Sequence, residues 1–307
     1  MNGAKLAVIG RATVDYLYVT ESHPIEDTEN YVSAQTAVIG GSAGRAAVAA
    51  GRLGSDVHLL AMIGTGTHAD LLKTQFADEP VTATWIQTSD GAQHSIVLLS
   101  ERSGLRTTIC TPQPPATAEA LELLPDLVLA SDVVLLDCTD EPLTRATLAA
   151  AKAAGVAVVM DTGPFEPWTD DVLPEADHLI MPEHFLRQRF PEVADVHEAA
   201  RQVFELYAPT TLGVTQGSEG GFWIDASGYH PYAALPVDAV DTCGAGDTFH
   251  GAYAWAIANA QPIDVAFEIA AWAAGRKCVQ LGNGSIPHRA ELDAAFAGKL
   301  KVSSPNE

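Results

Sequence analysis

The amino-acid sequence predicts an α/β fold with a mostly parallel central sheet. Short runs of valine, isoleucine and leucine alternate with amphipathic helical stretches, and these runs are apolar throughout, as expected for strands covered on both faces. With 307 residues, 47% of them hydrophobic, the chain is long enough to enclose a large core. Strands are predicted at 6–10, 57–64, 133–137, 156–161, 179–181 and 212–216, and helices at 43–53, 67–77, 141–154 and 195–207.

Two segments break this alternation. Residues 12–38 and 84–110 carry strands in which polar and apolar side chains alternate, and neither segment contains a convincing helix. They predict a small sheet beside a main domain made of residues 1–11, 39–83 and 111–307, although two long surface hairpins without a function fit the same pattern. Two alanine-containing helices are predicted later in the chain, at 247–260 and 263–280.

The composition argues against several classes of partner. The formal net charge is −22 and no cluster of lysine and arginine is present, so we expect neither a nucleic acid nor an anionic membrane surface as a partner. No apolar run approaches membrane-spanning length, and no secretion signal follows Met1. The four cysteines lie far apart without a C-x-x-C pair, which favours reduced thiols and predicts a cytoplasmic protein.

The segment 241–253 is the strongest indication of chemistry. Gly244, Ala245 and Gly246 have little or no side chain to block an anion, and they open a predicted helix whose first amides attract negative charge. We call these three residues the anion cradle. Asp247 follows directly, and a carboxylate beside a bound phosphate suits a general base. Spacing alone leaves open that Asp247 is an ordinary helix cap.

The residues of this segment are more specific than their spacing. The run V-D-T-C-G-A-G-D-T-F-H-G at 240–251 closely resembles the signature of the ribokinase-like carbohydrate kinases, the PfkB family. A second segment at 40–54, with its diglycine followed by small residues, resembles the N-terminal signature of the same family. The resemblance implies a three-layer α/β/α domain of the ribokinase type with a small β-sheet lid, and ATP-dependent phosphorylation of a sugar in which Asp247 is the base.

The resemblance also implies the sugar contacts. Asp15 ends a G-x-x-x-x-D segment whose carboxylate accepts hydrogen bonds from sugar hydroxyls, and Gly40 and Gly41 lie against the sugar. Arg45 departs from the family, which usually has asparagine there. Either the substrate is anionic or Arg45 turns away to pair with a carboxylate. Arg106 matches a lid arginine of ketohexokinase-like members, and a solvated hairpin arginine fits it equally well.

The remaining positions concern the nucleotide and the metals. By resemblance, the ATP contacts are Thr215, Gly217, Gly220, Ala274, Gly275 and Cys278, and the residues of a monovalent-cation loop for K⁺ are Asp241, Cys243 and Ser285. Taken alone, the glycines are ordinary turn residues and the α-helical positions are plain packing. Mg²⁺ is expected with ATP, yet the usual N-x-x-E motif is replaced by Pro182 and Phe185, with Glu183 the nearest carboxylate.

Two other motifs, one typical of hydrolases and one of dinucleotide-binding proteins, are weaker evidence of function than the two kinase signatures. Ser42 lies in a G-x-S-x-G segment, but a hydrolase elbow normally follows several core strands, and Gly64 opens a dinucleotide-like G-x-G-x-x-A without the required acidic residue. Within the family, the chain is most similar to the ketohexokinase and sulfofructose kinase-like branch, and this resemblance implies a kinase that phosphorylates a primary hydroxyl of a small ketose such as fructose. A nucleoside kinase of the same family and a non-catalytic sensor remain as alternatives, and the family resemblance implies a homodimer through the lid.

Overall fold

The computed structural model describes residues 3–103 and 106–301, which form two β-sheets and the helices around them. The main sheet has the strand order β13-β12-β11-β10-β9-β8-β1-β4-β5. The seven strands from β11 to β5 are parallel, and β12 and β13 are antiparallel additions at one edge. Its strands are β1 (Lys5–Ile9), β4 (Asp56–Thr65), β5 (Val81–Gly91), β8 (Val133–Leu136), β9 (Ala157–Asp161), β10 (His178–Pro182), β11 (Thr211–Thr215), β12 (Gly221–Asp225) and β13 (Gly228–Tyr232).

Helices cover both faces of this sheet and give three layers. The core on one face includes α1 (Ser42–Arg52), α2 (Thr67–Phe76), α8 (Ala245–Ala258), α9 (Ile263–Lys277) and α10 (Arg289–Ala295). The core on the other face includes α3 (Ala118–Leu129), α4 (Glu141–Ala154), α5 (Thr169–Val172), α6 (Glu183–Arg189) and α7 (Val196–Tyr207). These layers confirm the predicted fold class. Within the described residues, no helix is both long and apolar enough to cross a bilayer.

A smaller four-stranded sheet lies beside the main one. Its order is β3-β2-β6-β7, with β2 (Thr13–Thr20), β3 (Val32–Gly40), β6 (His94–Ser100) and β7 (Arg106–Cys110). Strands β2 and β6 are parallel, whereas both outer pairs are antiparallel. Leu17, Val97 and Leu99 of this sheet pack against Cys243, so the small sheet meets the chain just before the anion cradle.

One predicted strand belongs to the other sheet. The segment from Trp85 to Gln87 was expected in the small sheet, but it lies in β5, which pairs with β4 at the edge of the main sheet. An edge strand leaves part of one face open to water, so its polar alternation imitates that of a small two-sided sheet. Helix α3 and the β12–β13 hairpin were not predicted from the sequence.

Local chemistry sets the positions where the elements begin and end. Helix α4 begins at Asp140, whose side chain accepts the Leu143 amide at 2.9 Å, and ends at Gly155 in the left-handed conformation. Helices α1 and α8 pack closely because Gly251 has no side chain: a Cβ there would lie 2.2 Å from the Ala46 carbonyl oxygen. This close approach brings the start of α8 next to the first turn of α1.

Candidate active site

The candidate site forms where α1 and α8 begin beside β2. Arg45, in the first turn of α1, reaches across to two carboxylates. One guanidinium nitrogen, Nη2, pairs with Asp15 Oδ2, and the other, Nη1, donates to Asp247 Oδ2 at 3.2 Å. The structure thus brings together three residues that the sequence places 30 and 202 positions apart, and it gives Arg45 carboxylates as partners.

Arg45 is buried and charged. Only 4% of the residue is exposed. Burial by itself would lower the pKa of the guanidinium, but the neighbouring acidic groups Cys243, Asp15 and Asp247 raise it above its ordinary value. Among the described residues, its Nε has no hydrogen-bond partner. A buried cation between two carboxylates compensates one of their two negative charges.

Glycine is required at the helix cap because Arg45 lies beside it. Gly244 caps α8 with φ 81°, a left-handed conformation, and a Cβ there would lie 2.4 Å from Arg45 Cδ. Nothing lies within 4 Å of a Cβ built on Gly246. The first amides of a helix have no intrahelical acceptor. In the anion cradle the Ala245 amide donates to the Thr242 carbonyl oxygen at 3.3 Å, whereas the Gly246 amide, beside the open space, has no main-chain acceptor among the described residues.

Asp247 lies in that first turn and keeps access to solvent. Its side chain is 22% exposed, whereas those of Arg45 and Asp15 are 5% exposed. Oδ2 is the oxygen that accepts the Arg45 hydrogen bond. Oδ1 is left for a further donor, which is the geometry that a base needs to receive a hydroxyl proton.

Asp15 is held by its neighbours in the small sheet and by two glycines. Thr13 donates its hydroxyl to Asp15 Oδ1 at 2.9 Å. A Cβ on Gly40 would lie 2.2 Å from the Asp15 carboxylate, and one on Gly41, where φ is 77°, would lie 2.4 Å from the Arg11 carbonyl oxygen. The diglycine is therefore needed for the close approach of α1 to β2, whatever it also does for a substrate.

Three further polar residues surround the start of α8, and the sequence analysis did not select them. Asp137 accepts the Arg11 amide at 2.6 Å and the Ser42 hydroxyl at 2.9 Å. His250 Nδ1 lies 2.7 Å from the Gly246 carbonyl oxygen and 3.5 Å from Asp161 Oδ2. The position of the two aspartates in the sequence could have indicated them, because Asp137 follows β8 and Asp161 ends β9. Parallel sheets bind ligands at this carboxyl edge.

Asp161 carries the clearest electrostatic perturbation of the group. Burial raises the pKa of this carboxyl, the neighbouring imidazole of His250 opposes that shift, and the negative charge of Asp247 reinforces it. A cation close to these carboxylates would stabilise their ionised forms. Within residues 3–103 and 106–301, however, no group of three or more His, Cys, Asp or Glu side chains is arranged to hold a metal directly.

The lid arginine approaches the same helix start. Arg106, the first residue of β7, donates from Nη1 to the Thr242 hydroxyl at 3.4 Å. Thr242 lies two residues before Gly244. The exposed guanidinium of Arg106 is therefore placed beside the chain segment that leads into the anion cradle.

The residues expected to bind ATP lie in two places. Thr215 ends β11, Gly217 opens a short 3₁₀ turn, and Gly220 has φ 83° where a Cβ would lie 2.3 Å from the Tyr232 carbonyl oxygen. Ala274 and Gly275 lie on α9, and Cys278 follows its end. Leu235 covers Gly275, because a Cβ there would lie 2.7 Å from the Leu235 Cβ.

At the expected magnesium motif, one side chain is packed in the core and another forms a local ion pair. Phe185 is fully buried. Glu183 pairs with Arg187 and accepts the Gln216 amide at 2.9 Å, and these contacts, the Gln216 hydrogen bond first, lower the pKa of Glu183. Both oxygens of the Glu183 carboxylate thus have a protein partner, Arg187 on Oε1 and Gln216 on Oε2.

Of the three residues expected in a cation loop, Asp241 is fully buried and bonded to Lys277. Lys277 Nζ donates to the Asp241 carboxylate at 2.7 Å and to its carbonyl oxygen at 2.9 Å. Cys243 donates its amide to Asp241 Oδ1 at 2.8 Å, and Ser285 donates its hydroxyl to the Lys277 carbonyl oxygen at 2.7 Å.

The comparison with known families gives the class of enzyme to which this three-layer fold belongs. The class is the kinases that phosphorylate an alcohol, and here the alcohol belongs to a sugar. The sequence match names the family. Residues 4–289 match the pfkB family carbohydrate kinases, and the chain belongs to that family.

Relatives of known name agree with this assignment. The chain is 26% identical to a ribokinase of Bacillus subtilis, with 94% of this chain and 98% of that one covered, and 29% identical to a ribokinase of Haemophilus influenzae, with 93% and 96% covered. Among solved structures, the ribokinase of Arabidopsis thaliana complexed with ribose and ATP has a TM-score of 0.80 at 22% identity, with 97% and 99% covered. The chain is an ATP-dependent sugar kinase.

Proposed function

We propose that this kinase phosphorylates a primary hydroxyl of a small neutral sugar and that Asp247 is the base. The observation that carries the proposal is the pairing of Arg45 with Asp15 and Asp247. Because both carboxylates take up the charge of Arg45, that arginine offers no free cation to an anionic substrate. This arrangement supports an uncharged polyol and argues against a sugar that already carries a phosphate.

The carboxylates keep acceptor positions for hydroxyl groups. Asp15 accepts from Thr13 through Oδ1 and from Arg45 through Oδ2, and each carboxylate oxygen has a second lone pair. Asp247 accepts from Arg45 through Oδ2, which leaves Oδ1 to take the proton of the attacking hydroxyl. Arg45 fixes the orientation of both side chains, and fixed orientation is the main requirement of phosphoryl transfer.

The anion cradle would supply the second requirement of phosphoryl transfer, stabilisation of the charge on the phosphoryl group. The space beside Gly246 at the start of α8 is open, and the Gly246 amide there would stabilise charge on the transferring phosphoryl group. Asp161 and Asp247 would suit a magnesium ion bound through its water ligands, because burial and the charge of Asp247 disfavour the ionised form of Asp161 and a nearby cation would stabilise it. Such an ion would offset the charge of ATP. Arg106, held at Thr242, is placed to approach the same phosphate.

The sugar itself is assigned by class. A ketose of the fructose type is the substrate that the sequence predicts. Ribose is the second candidate, because the curated relatives described above are ribokinases. Both offer a primary hydroxyl and neither carries a charge.

ADP release over a panel of acceptors tests the proposal. We expect turnover with fructose or ribose and little with fructose 6-phosphate or adenosine. Asp247→Asn should lower kcat by about a hundredfold to ten thousandfold, the usual worth of a general base. Asp293→Asn, a surface aspartate paired with Arg289, is the matched control and should leave kcat unchanged. Fastest turnover with a phosphorylated sugar would contradict a neutral acceptor, and equal turnover by Asp247→Asn would contradict the base.

We also propose a homodimer through the small sheet. Large apolar side chains are exposed at both outer edges of this sheet: Tyr31 and Val32 at the start of β3 are 81% and 43% exposed, and Ile109 of β7 is 57% exposed. Light scattering of the purified protein measures the mass of the assembly, and a monomer at micromolar concentration would contradict the proposal.

A further inference from the structure

The end of α9 places a lysine where water cannot reach it. Lys277 and its partner Asp241 are both 0% exposed in their side chains. The ammonium donates to the Asp241 carboxylate at 2.7 Å and to the Asp241 main-chain carbonyl at 2.9 Å. A buried charge is costly unless it is paired and hydrogen-bonded, so this pair is a specific feature of the fold.

Asp241 joins three pieces of chain through this pair. Its carboxylate also accepts the amide of Cys243 at 2.8 Å and the amide of Gly282 at 2.9 Å. The hydroxyl of Ser285 donates to the carbonyl of Lys277 at 2.7 Å. The lysine therefore ties the end of α9 and the loop 282–285 to residues 241–243, which lead directly into the anion cradle.

A second protein cation already binds the same loop. Arg52 Nη1 donates to the carbonyl oxygens of Asn283 and Ile286, at 2.9 Å and 3.1 Å, and Arg52 is itself paired with Glu79. Protein cations thus bind the Asp241 carboxylate and the main-chain carbonyl oxygens of Asp241, Asn283 and Ile286, whereas among the described residues the buried side-chain oxygen of Asn283 has no hydrogen-bond partner.

We propose that the ammonium of Lys277 takes the place of the monovalent cation that the sequence resemblance implied at Asp241, Cys243 and Ser285. A potassium ion and an ammonium group carry the same charge and bind the same kinds of oxygen. A second cation on the Asp241 oxygens would lie against the ammonium and be repelled by it. The anion cradle is therefore held in place by a cation that the chain supplies, and this inference rests on the kinase activity assigned above.

The wild-type protein provides the first test. ADP release and Tm are measured at equal ionic strength in potassium, sodium and tetramethylammonium chloride. We expect the rates to agree within about twofold and the Tm values within about 1 °C. A fivefold or greater stimulation by potassium, or a potassium-specific rise in Tm, would overturn the proposal. The Tm reading needs no sugar, so it stands even if the acceptor has been assigned wrongly.

Removing the ammonium provides the second test. Lys277→Ala leaves Asp241 buried without its cation, and we expect Tm to fall by about 5–8 °C and ADP release to fall tenfold or more. Potassium or ammonium chloride should restore part of both losses, while tetramethylammonium, which is too large, should not. Lys299→Ala is the control, because it removes an exposed lysine paired with Glu268. An alanine variant that stays stable and active in tetramethylammonium would refute the role of Lys277, and the wild-type comparison decides the question if the variant does not fold.

Discussion

Replacing Arg45 by methionine should destabilise the protein, because two carboxylates then lose the cation between them. Arg45 is 4% exposed and contacts both Asp15 and Asp247. Removing one partner of a buried ion pair costs about 3–5 kcal/mol. The entropy of unfolding is about 2.1 cal/mol/K per residue, or about 0.6 kcal/mol/K for 307 residues, so we expect Tm to fall by about 5–8 °C.

Thermal unfolding of Arg45→Met, Asp15→Asn and the double variant measures the interaction. With Asp15 neutral, one of the two negative charges is gone, so Arg45→Met should cost less than it does in the wild type. Arg45→Lys is the graded control: it keeps the charge but loses the planar fork that reaches two carboxylates, and its Tm should lie between the others. Additive shifts in Tm would refute the reasoning, because they would mean that Arg45 and Asp15 do not stabilise each other.

Two further changes test the site and the pH dependence. A methyl group at position 40 would lie 2.2 Å from the Asp15 carboxylate, so Gly40→Ala should displace that carboxylate, raise KM for the sugar and lower Tm by about 2–5 °C. Gly246→Ala is the control and should leave Tm unchanged, because no described atom lies within 4 Å of its Cβ. Equal Tm values for the two variants would contradict the steric clash at Gly40. Burial lowers the pKa of His178 to about 4, so the unfolded chain binds the extra proton first and stability is lost as pH falls from about 6.5 towards 4. His178→Asn should flatten the change of Tm over that range, and an unchanged slope would show that another group causes it.

The parts of the site that the sequence predicted are those encoded in contiguous segments. The anion cradle with Asp247 and the diglycine before α1 are local features, since a helix start and a left-handed glycine depend on neighbours in the chain. For the same reason the sequence predicted the strands and helices of the main sheet well. That the anion cradle and the diglycine lie close together was implied by the family resemblance alone, because no local sequence pattern indicates that α1 and α8 are adjacent.

The parts that the sequence did not predict depend on contacts between distant segments. A lysine in the last turn of a helix is ordinary, since it interacts favourably with the helix dipole, so nothing marked Lys277 as the partner of Asp241. Polar and apolar side chains do alternate in β5, but this strand lies at the edge of the main sheet and not in the small sheet. Asp137 and Asp161 became visible only when the strand order put β8, β9 and β1 near one another.

The distribution of positive charge explains how so acidic a protein can bind ATP. The chain has 17 lysines and arginines against 39 aspartates and glutamates, so its overall field repels an anion. Yet Arg45, Lys277 and Arg106 all lie against residues 241–247, within or directly before the first turn of α8. Two of these cations are buried and already paired, and Arg106 is exposed. We propose that a phosphate engages Arg106 and that affinity for the nucleotide is built locally at this helix start, while the remaining surface contributes repulsion that salt screens.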